Sequence, residues 1–538
     1  MEAGLEPGDP RRAVCLSAVR MEAASFRLCA RALRRGLDEA QRAKSGRPGT
    51  ERSLGRPAPD GAYYSHMLKT LRPHLVLAVC LIAAMSSTGL RAESPRSAGQ
   101  QTAAYEAVAS RMLSTGLRQL GAYQSLAKIL ASGPRLTGSK QADAAVALMV
   151  DHMKALGFAN VRTEPTTVGH WVRGAREEGA IVSKALGRIR VKVRAIGNSV
   201  ATPTNGMTAG IIEVHSVAEL EKIGDKARGR IVFFNGALDP TLLDTFPAYG
   251  GAAQQRSGGA VAAARVGAVA AVVRSLTLEL DDDPHTGTMS YDEATPKIPA
   301  VTISTLAAER LSGMLRKDPD TQFHFVTSCQ TLAPVVSHNV IGELLGTEHP
   351  EEIIVMAGHL DSWDLSPGAH DDGAGCAQSI EALRLIRELG LTPRRTIRVV
   401  LFMDEENGGT GGRDYARSET RKSERHIAAI ESDRGGFLPI GMGVGAKGET
   451  FDRIKAWEPL LQRVGLQWIR PGGGGVDISP LGASGTILMG PVPDSQRYFD
   501  VHHSGTDTLD KVNARELELG AVSMALLSYL VAEEGLPR

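Results

Sequence analysis

Four apolar, β-prone runs in the second half of the chain each end in charged or turn residues: EEIIVMAGHLDS from Glu351, RTIRVVLFMDEENGG from Arg395, HIAAIESDRGG from His426 and TILMGPVP from Thr486. Between the first two lies GAHDDGAGCAQSIEAL, which turns into a helix pattern near Asp372 with Ile380, Leu383 and Ile386 on one face. Strands that alternate with helices predict an α/β fold around a doubly wound, mostly parallel sheet. In such a sheet ligands collect beyond the carboxyl ends of the strands. The polar residues fall there: His359 and Asp361 after the first run, Asp404, Glu405 and Glu406 after the second, Asp433 after the third. His502 and His503 lie in YFDVHHSGTDT, which reads as a loop.

A chain of 538 residues is too long for one ordinary domain, so two or more are expected. QADAAVALMVDHMKALGF reads as an amphipathic helix with Ala145, Leu148, Met149, Met153 and Leu156 on its apolar face and Gly157 at its end. From Ile196 to Pro334 the texture becomes rich in Ala, Gly and Val, as in GRIVFFNGALDP and GGAVAAARVGAVAAVVRS, which predicts an inserted α/β or β-rich module. NARELELGAVSMALLSYLVAEE closes the chain as a helix, with Asn513 and Glu516 spaced as a capping box. MLKTLRPHLVLAVCLIAAMSSTGLRAES, from Met67, has basic residues, then an apolar run, then small residues, the order of a secretory signal. Its apolar run is shorter than the roughly 20 residues of a membrane-spanning helix. The expectation is a signal peptide over 67–92, an exported mature protein without a membrane span, and residues 1–66 as a non-native or disordered extension. An amphipathic targeting helix is the alternative.

Lys and Arg total 61 against 60 Asp and Glu, a balance that gives no reason to expect nucleic acid as a partner. Five cysteines lack any CxxC spacing, which argues against thiolate-held zinc. Beyond the leader only Cys329 and Cys376 remain, enough for one bridge in an oxidising compartment but not demanding one.

Imidazole and carboxylate without thiolate suit a catalytic zinc or a related divalent ion. Three carboxylates and one hydroxide balance the charge of two Zn²⁺ ions, provided one carboxylate is shared. That gives a reason for the adjacent Asp371 and Asp372: one fixed at a helix start bridges two cations, the other caps the helix or holds the loop. The bland alternative is that both merely cap it. GGTGG at Gly408 lacks the following GK[ST] of a phosphate loop and reads as a tight turn, and GGGG at Gly472 reads as a mobile loop that with Asp477 reaches substrate.

HLDSWD, GAHDDGAG, DEENGG, ESDRGG and HHSGTDT together resemble the signature of the co-catalytic zinc exopeptidases, metallopeptidase family 28. The likeness extends to GPRLTGSK at Gly133, HWVRG at His170, PHTG at Pro284, KIPAVTI at Lys297 and the terminal LPR. The resemblance implies a catalytic domain over 103–195 and 335–538, interrupted by a protease-associated domain over 196–334. It implies two zinc ions, one on His359 and Asp433, the other on Glu406 and His503, with Asp371 bridging and His502 a neighbour. Glu405 would be the general base, and Asp361 would orient His359 by accepting its free ring N–H. The chain departs from the pattern at His370 and Asp404. Small peptides are the implied substrates and a homodimer the implied assembly. An aminopeptidase acting on longer peptides, a glutaminyl cyclase and a non-catalytic binding protein of the same fold are the rival readings.

Overall fold

The computed structural model describes residues 98–537, so the expected leader over 67–92 and the extension before it lie outside the described residues. Two sheets carry the fold. After β1 (Ala159–Val172) come eight strands that form the second sheet: β2 (Glu177–Ser183), β3 (Gly187–Val191), β4 (Val193–Ala195), β5 (Met207–Val214), β6 (Ile231–Phe234), β7 (Ala270–Arg274), β8 (Ala300–Ile303) and β9 (Gln322–Thr327). The chain then returns to the first sheet with β10 (Gln330–Leu344), β11 (His349–His359), β12 (Arg395–Phe402), β13 (Arg425–Glu431), β14 (Pro439–Val444), β15 (Trp468–Pro471) and β16 (Ile487–Pro493). The first sheet runs β1-β10-β12-β11-β13-β16-β14-β15 and the second β3-β2-β9-β5-β6-β7-β8-β4. Strands of the second sheet therefore begin at Glu177, ahead of the change in composition at Ile196.

Both sheets are mixed. In the first, β12, β11, β13 and β16 are mutually parallel, while the β1-β10, β10-β12 and β14-β16 pairs are antiparallel. The expected parallel sheet is thus the centre of a mixed one. Its parallel strands are covered on both faces, which is why they read as continuous apolar runs. One face packs against the helices Lys140–Ala155, Ala374–Glu388 and Ala514–Glu534, and the other meets Tyr415, Ile478 and Leu481. Leu517, Leu526, Leu527 and Leu530 of the last helix are fully buried, each a contribution of about 1.5–3 kcal/mol. The second sheet is likewise covered on both sides, by the helix Thr305–Lys317 on one and Gly259–Arg265 on the other.

The helix expected from QADAAVALMVDHMKALGF forms over Lys140–Ala155, capped by Ser139, and Gly157 follows at φ 74°. Ala145, Met149 and Met153 are buried, but Leu148 is exposed. The capping box at the last helix is half made. Asn513 accepts the N–H groups of Arg515 and Glu516, whereas the Glu516 carboxylate turns away to Arg497 at 2.8 Å. Cys329 and Cys376 are not bridged; each is buried and its thiol donates to a different carbonyl, Ser199 and His359. No helix among the described residues is long and apolar enough to cross a membrane.

Candidate metal centre

Parallel β11, β12 and β13 end on the same side, and their C-terminal residues converge there. His359 closes β11. Its Nε2 lies 3.3 Å from Asp371 Oδ1 and 3.5 Å from Asp433 Oδ1. The other oxygen of Asp371 lies 3.1 Å from His503 Nε2, which is also 3.1 Å from Glu406 Oε2. One carboxylate thus faces an imidazole with each of its oxygens. His502 Nε2 is 3.6 Å from Asp371 Oδ2 and its ring stacks on His503, but His503 alone of the two contacts Glu406. All five expected ligands meet in one place, 144 positions apart in sequence at the extremes, from His359 to His503.

The donor set fits divalent metal. One ligand atom from each of His359, Asp371 and Asp433 lies within 4.8 Å of the other two, and so does one from each of Asp371, His502 and His503. Asp371 Oδ2 and Glu406 Oε1 are buried without a hydrogen-bond partner among the described residues, a costly state that a cation relieves. Electrostatics agree. Burial opposes charge on His359, yet the Asp371 and Asp433 carboxylates outweigh it and hold the ring pKa well above the usual value. Burial would raise Asp371, but the histidines hold its pKa well below the carboxylate range. Glu405, half-buried beside them, is pushed well up by burial and by the charges of Asp433, Glu406 and Asp477 against the opposing pull of His359.

Asp372 serves the helix start, one of the two expected roles, and ties it to the end of β11. Its Oδ1 accepts the N–H of Gly375 in the first turn of the helix Ala374–Glu388, and its Oδ2 accepts the N–H of His359. The Asp371-Asp372 peptide is cis.

Asp361 differs from the expectation. The Nδ1 of His359 is met at 3.1 Å by the backbone carbonyl of Asp361, while the nearest carboxylate oxygen is 3.8 Å away. The carboxylate instead accepts three backbone N–H groups, from Asp404 (2.8 Å), Glu405 (3.2 Å) and Glu406 (3.3 Å), and the Thr137 hydroxyl (2.8 Å). It pins the turn that carries both glutamates. Asp404, at φ 77°, closes the same turn: its carboxylate accepts from Thr410, and its carbonyl accepts from Gly408 and Gly409. Of GGTGG, only Gly408 and Gly409 belong to this turn, and Thr410, Gly411 and Gly412 already open the helix Thr410–Arg417. His370 is structural. Its Nδ1 accepts from Gly436, its Nε2 faces the Lys511 carbonyl, and the ring stacks on Phe437 at 4.1 Å.

Several supporting residues lie inside the motifs quoted above yet carry no sequence signal of their own. Asp507 of HHSGTDT accepts the N–H groups of His370 and Asp371. Arg135 of GPRLTGSK is wholly buried and donates to the carbonyls of Leu360, Pro367 and Gly368, bracing the loop from β11 to Asp371. Trp363 donates to Glu406 at 2.6 Å, and Glu431 accepts from Asp477 and Ile478, anchoring the end of the glycine run. Asp477 is itself buried rather than open to the cleft. The motifs flagged these stretches, but a buried carboxylate holding a loop is indistinguishable in sequence from one holding a metal.

A family model, "Peptidase family M28", matches residues 339–521. Carboxypeptidase Q of Bos taurus is 35% identical over 427 residues, covering 79% of this chain and 88% of the relative. This chain belongs to peptidase family M28. A peptidase M28 precursor from Shewanella amazonensis, solved by crystallography, is 32% identical with a TM-score of 0.77 over 81% of this chain and 99% of that one. A zinc aminopeptidase from Bacillus subtilis shares the fold at a TM-score of 0.56 and 19% identity, covering 78% of this chain and 96% of that one. As an M28 member the protein is a metallopeptidase with zinc as its implied metal. Its α/β fold with two mixed sheets matches these neighbours.

Proposed function

We propose that the protein is a dizinc exopeptidase that hydrolyses dipeptides or short peptides in the manner of carboxypeptidase Q. The observation that carries this reading is Asp371, whose two oxygens each face a separate imidazole, the arrangement of a carboxylate shared between two cations. His359 and Asp433 would hold one ion and His503 and Glu406 the other. When bound, such a pair acidifies water and polarises the scissile carbonyl. Glu405 accepts the water proton at its carboxylate and passes it to the leaving amine nitrogen. Asp361 keeps Glu405 in reach by fixing its backbone N–H. Trp363 orients Glu406 by donating to its Oε2 and leaves the other oxygen free for metal.

The second sheet, Glu177–Thr327, supports the reading of an inserted protease-associated domain, because it forms from one continuous segment between two strands of the first sheet. Its loops reach the centre: Thr286 donates to the His503 carbonyl, and Gly505 donates to Asp283. The order of residues over 67–92 supports export, and the resemblance supports a homodimer. A panel of dipeptides, incubated with and without chelator, tests the activity alongside zinc analysis. The expected result is hydrolysis that chelation abolishes and zinc restores, with two ions per chain. Saturation at one ion would sink the paired centre.

A further inference from the structure

A cavity of about 220 Å³ opens beside Asp433. It is smaller than the roughly 300 Å³ at which pockets for drug-sized ligands begin, so it suits a single amino-acid residue. Val476, Pro491 and Val492 give it apolar wall, and Gly473 and Gly474, at φ 102° and 99°, bring bare backbone to its edge. Its two acids are already engaged. Asp433 faces His359, and Glu431 accepts the N–H groups of Asp477 and Ile478. Arg434 is the cation of the lining, half-buried, and it forms no hydrogen bond or ion pair among the described residues. Its guanidinium rests over the Phe246 ring at 4.6 Å, and that ring is itself held against Tyr498 and Phe499. A stacked guanidinium is fixed in place while its in-plane donors stay available, the geometry that receives a carboxylate with two parallel bonds.

We propose that Arg434 binds a carboxylate of the substrate and that this cavity is the subsite for the residue bearing it. The inference rests on the peptidase reading above. The carboxylate has two sources with one chemistry, the free C-terminus of a short peptide or an acidic side chain. Asp433, which would hold one of the two ions, lines the same cavity, so a residue bound there lies beside the proposed centre.

Steady-state kinetics of the zinc-loaded chain test this with leucyl-leucine against its amide, and leucyl-glutamate amide against leucyl-glutamine amide. Arg434→Gln is expected to raise KM for the carboxylate-bearing member of one pair by about 10- to 100-fold, the usual range for losing a hydrogen bond to a charged group. Arg434→Lys should recover part of the loss. If the effect follows acid against amide, the C-terminus is the ligand; if it follows glutamate against glutamine, the side chain is. Equal KM within both pairs for the unaltered protein overturns the proposal, as does a Gln variant that lowers kcat on every substrate alike. Calorimetric titration of leucyl-leucine, its amide, leucyl-glutamate amide and leucyl-glutamine amide into zinc-loaded Glu405→Gln, with and without Arg434→Gln, reads binding apart from turnover. Should no peptide be cleaved, the peptidase reading fails, and the binding difference within either pair still decides whether Arg434 holds a carboxylate. Thermal melts check that each variant folds.

Discussion

Asp361→Asn separates two roles for a residue that touches the site without facing the substrate. The carboxylate holds Asp404 and Glu405 N–H groups on one oxygen, and Glu406 N–H and the Thr137 hydroxyl on the other. Asparagine keeps one acceptor and sets an NH₂ where the second oxygen was. Thr137 can turn its hydroxyl and accept instead, but the Glu406 N–H is left facing a donor. An orphaned buried N–H costs about 1–3 kcal/mol, and the remaining bonds lose their charge assistance, so a loss on the order of 3 kcal/mol in stability is expected. Because the turn carries Glu405, kcat should fall by roughly tenfold or more even at saturating zinc, a modest version of the ~10²-fold that a 1 Å misplacement can cost. Urea unfolding, zinc titration and turnover per bound zinc measure the three quantities. If the carboxylate acted on the His359 ring instead, zinc affinity would drop about 10- to 100-fold while stability and turnover at saturating zinc stayed unchanged. That pattern would refute the reasoning.

The adjacent glutamates should part company on amidation. Glu405→Gln is expected to keep its zinc and lose about 10²–10⁴ in kcat, whereas Glu406→Gln loses metal, and equal zinc content in the two by elemental analysis would remove the distinction. Acid should destabilise the fold through His426, whose pKa is pushed down to about 3 by burial and by Arg398. The native state refuses a proton that the unfolded chain takes near pH 6.5, so this contribution is complete above that value and is lost as pH falls from about 6.5 towards 3. Urea midpoints between pH 7.5 and 4 should decline less steeply in His426→Gln, and an identical slope would count against the assignment. Gly475→Ala places a Cβ against the Glu431 carboxyl, an overpacking of about 1–3 kcal/mol that should show as a lower melting temperature.

The order of elements and the helix after Asp372 could be read from the chain, because strand-end position and hydrophobic period are local properties; the set of five candidate ligands rested on the resemblance to a family. Contact partners are not local. Nothing in RTIRVVLF announces that Arg398 is buried and paired with Glu343 and Glu424, since a charged residue in an apolar run reads as an exposed interruption. The second sheet likewise starts before the composition changes, because its first three strands carry charged outward faces that resemble the preceding segment. Residue type and spacing by themselves determined that imidazoles and carboxylates would gather at strand ends in a chain of this family. Only the folded packing decided that Asp361 serves a turn through its carboxylate and a histidine through its carbonyl, that Asp372 spans helix and strand, and that Arg434 is left with a stacked charge and no ion pair among the described residues. The physical reason is that a hydrogen bond or ion pair is set by the distance between groups from remote parts of the chain, and distance is a product of the whole fold.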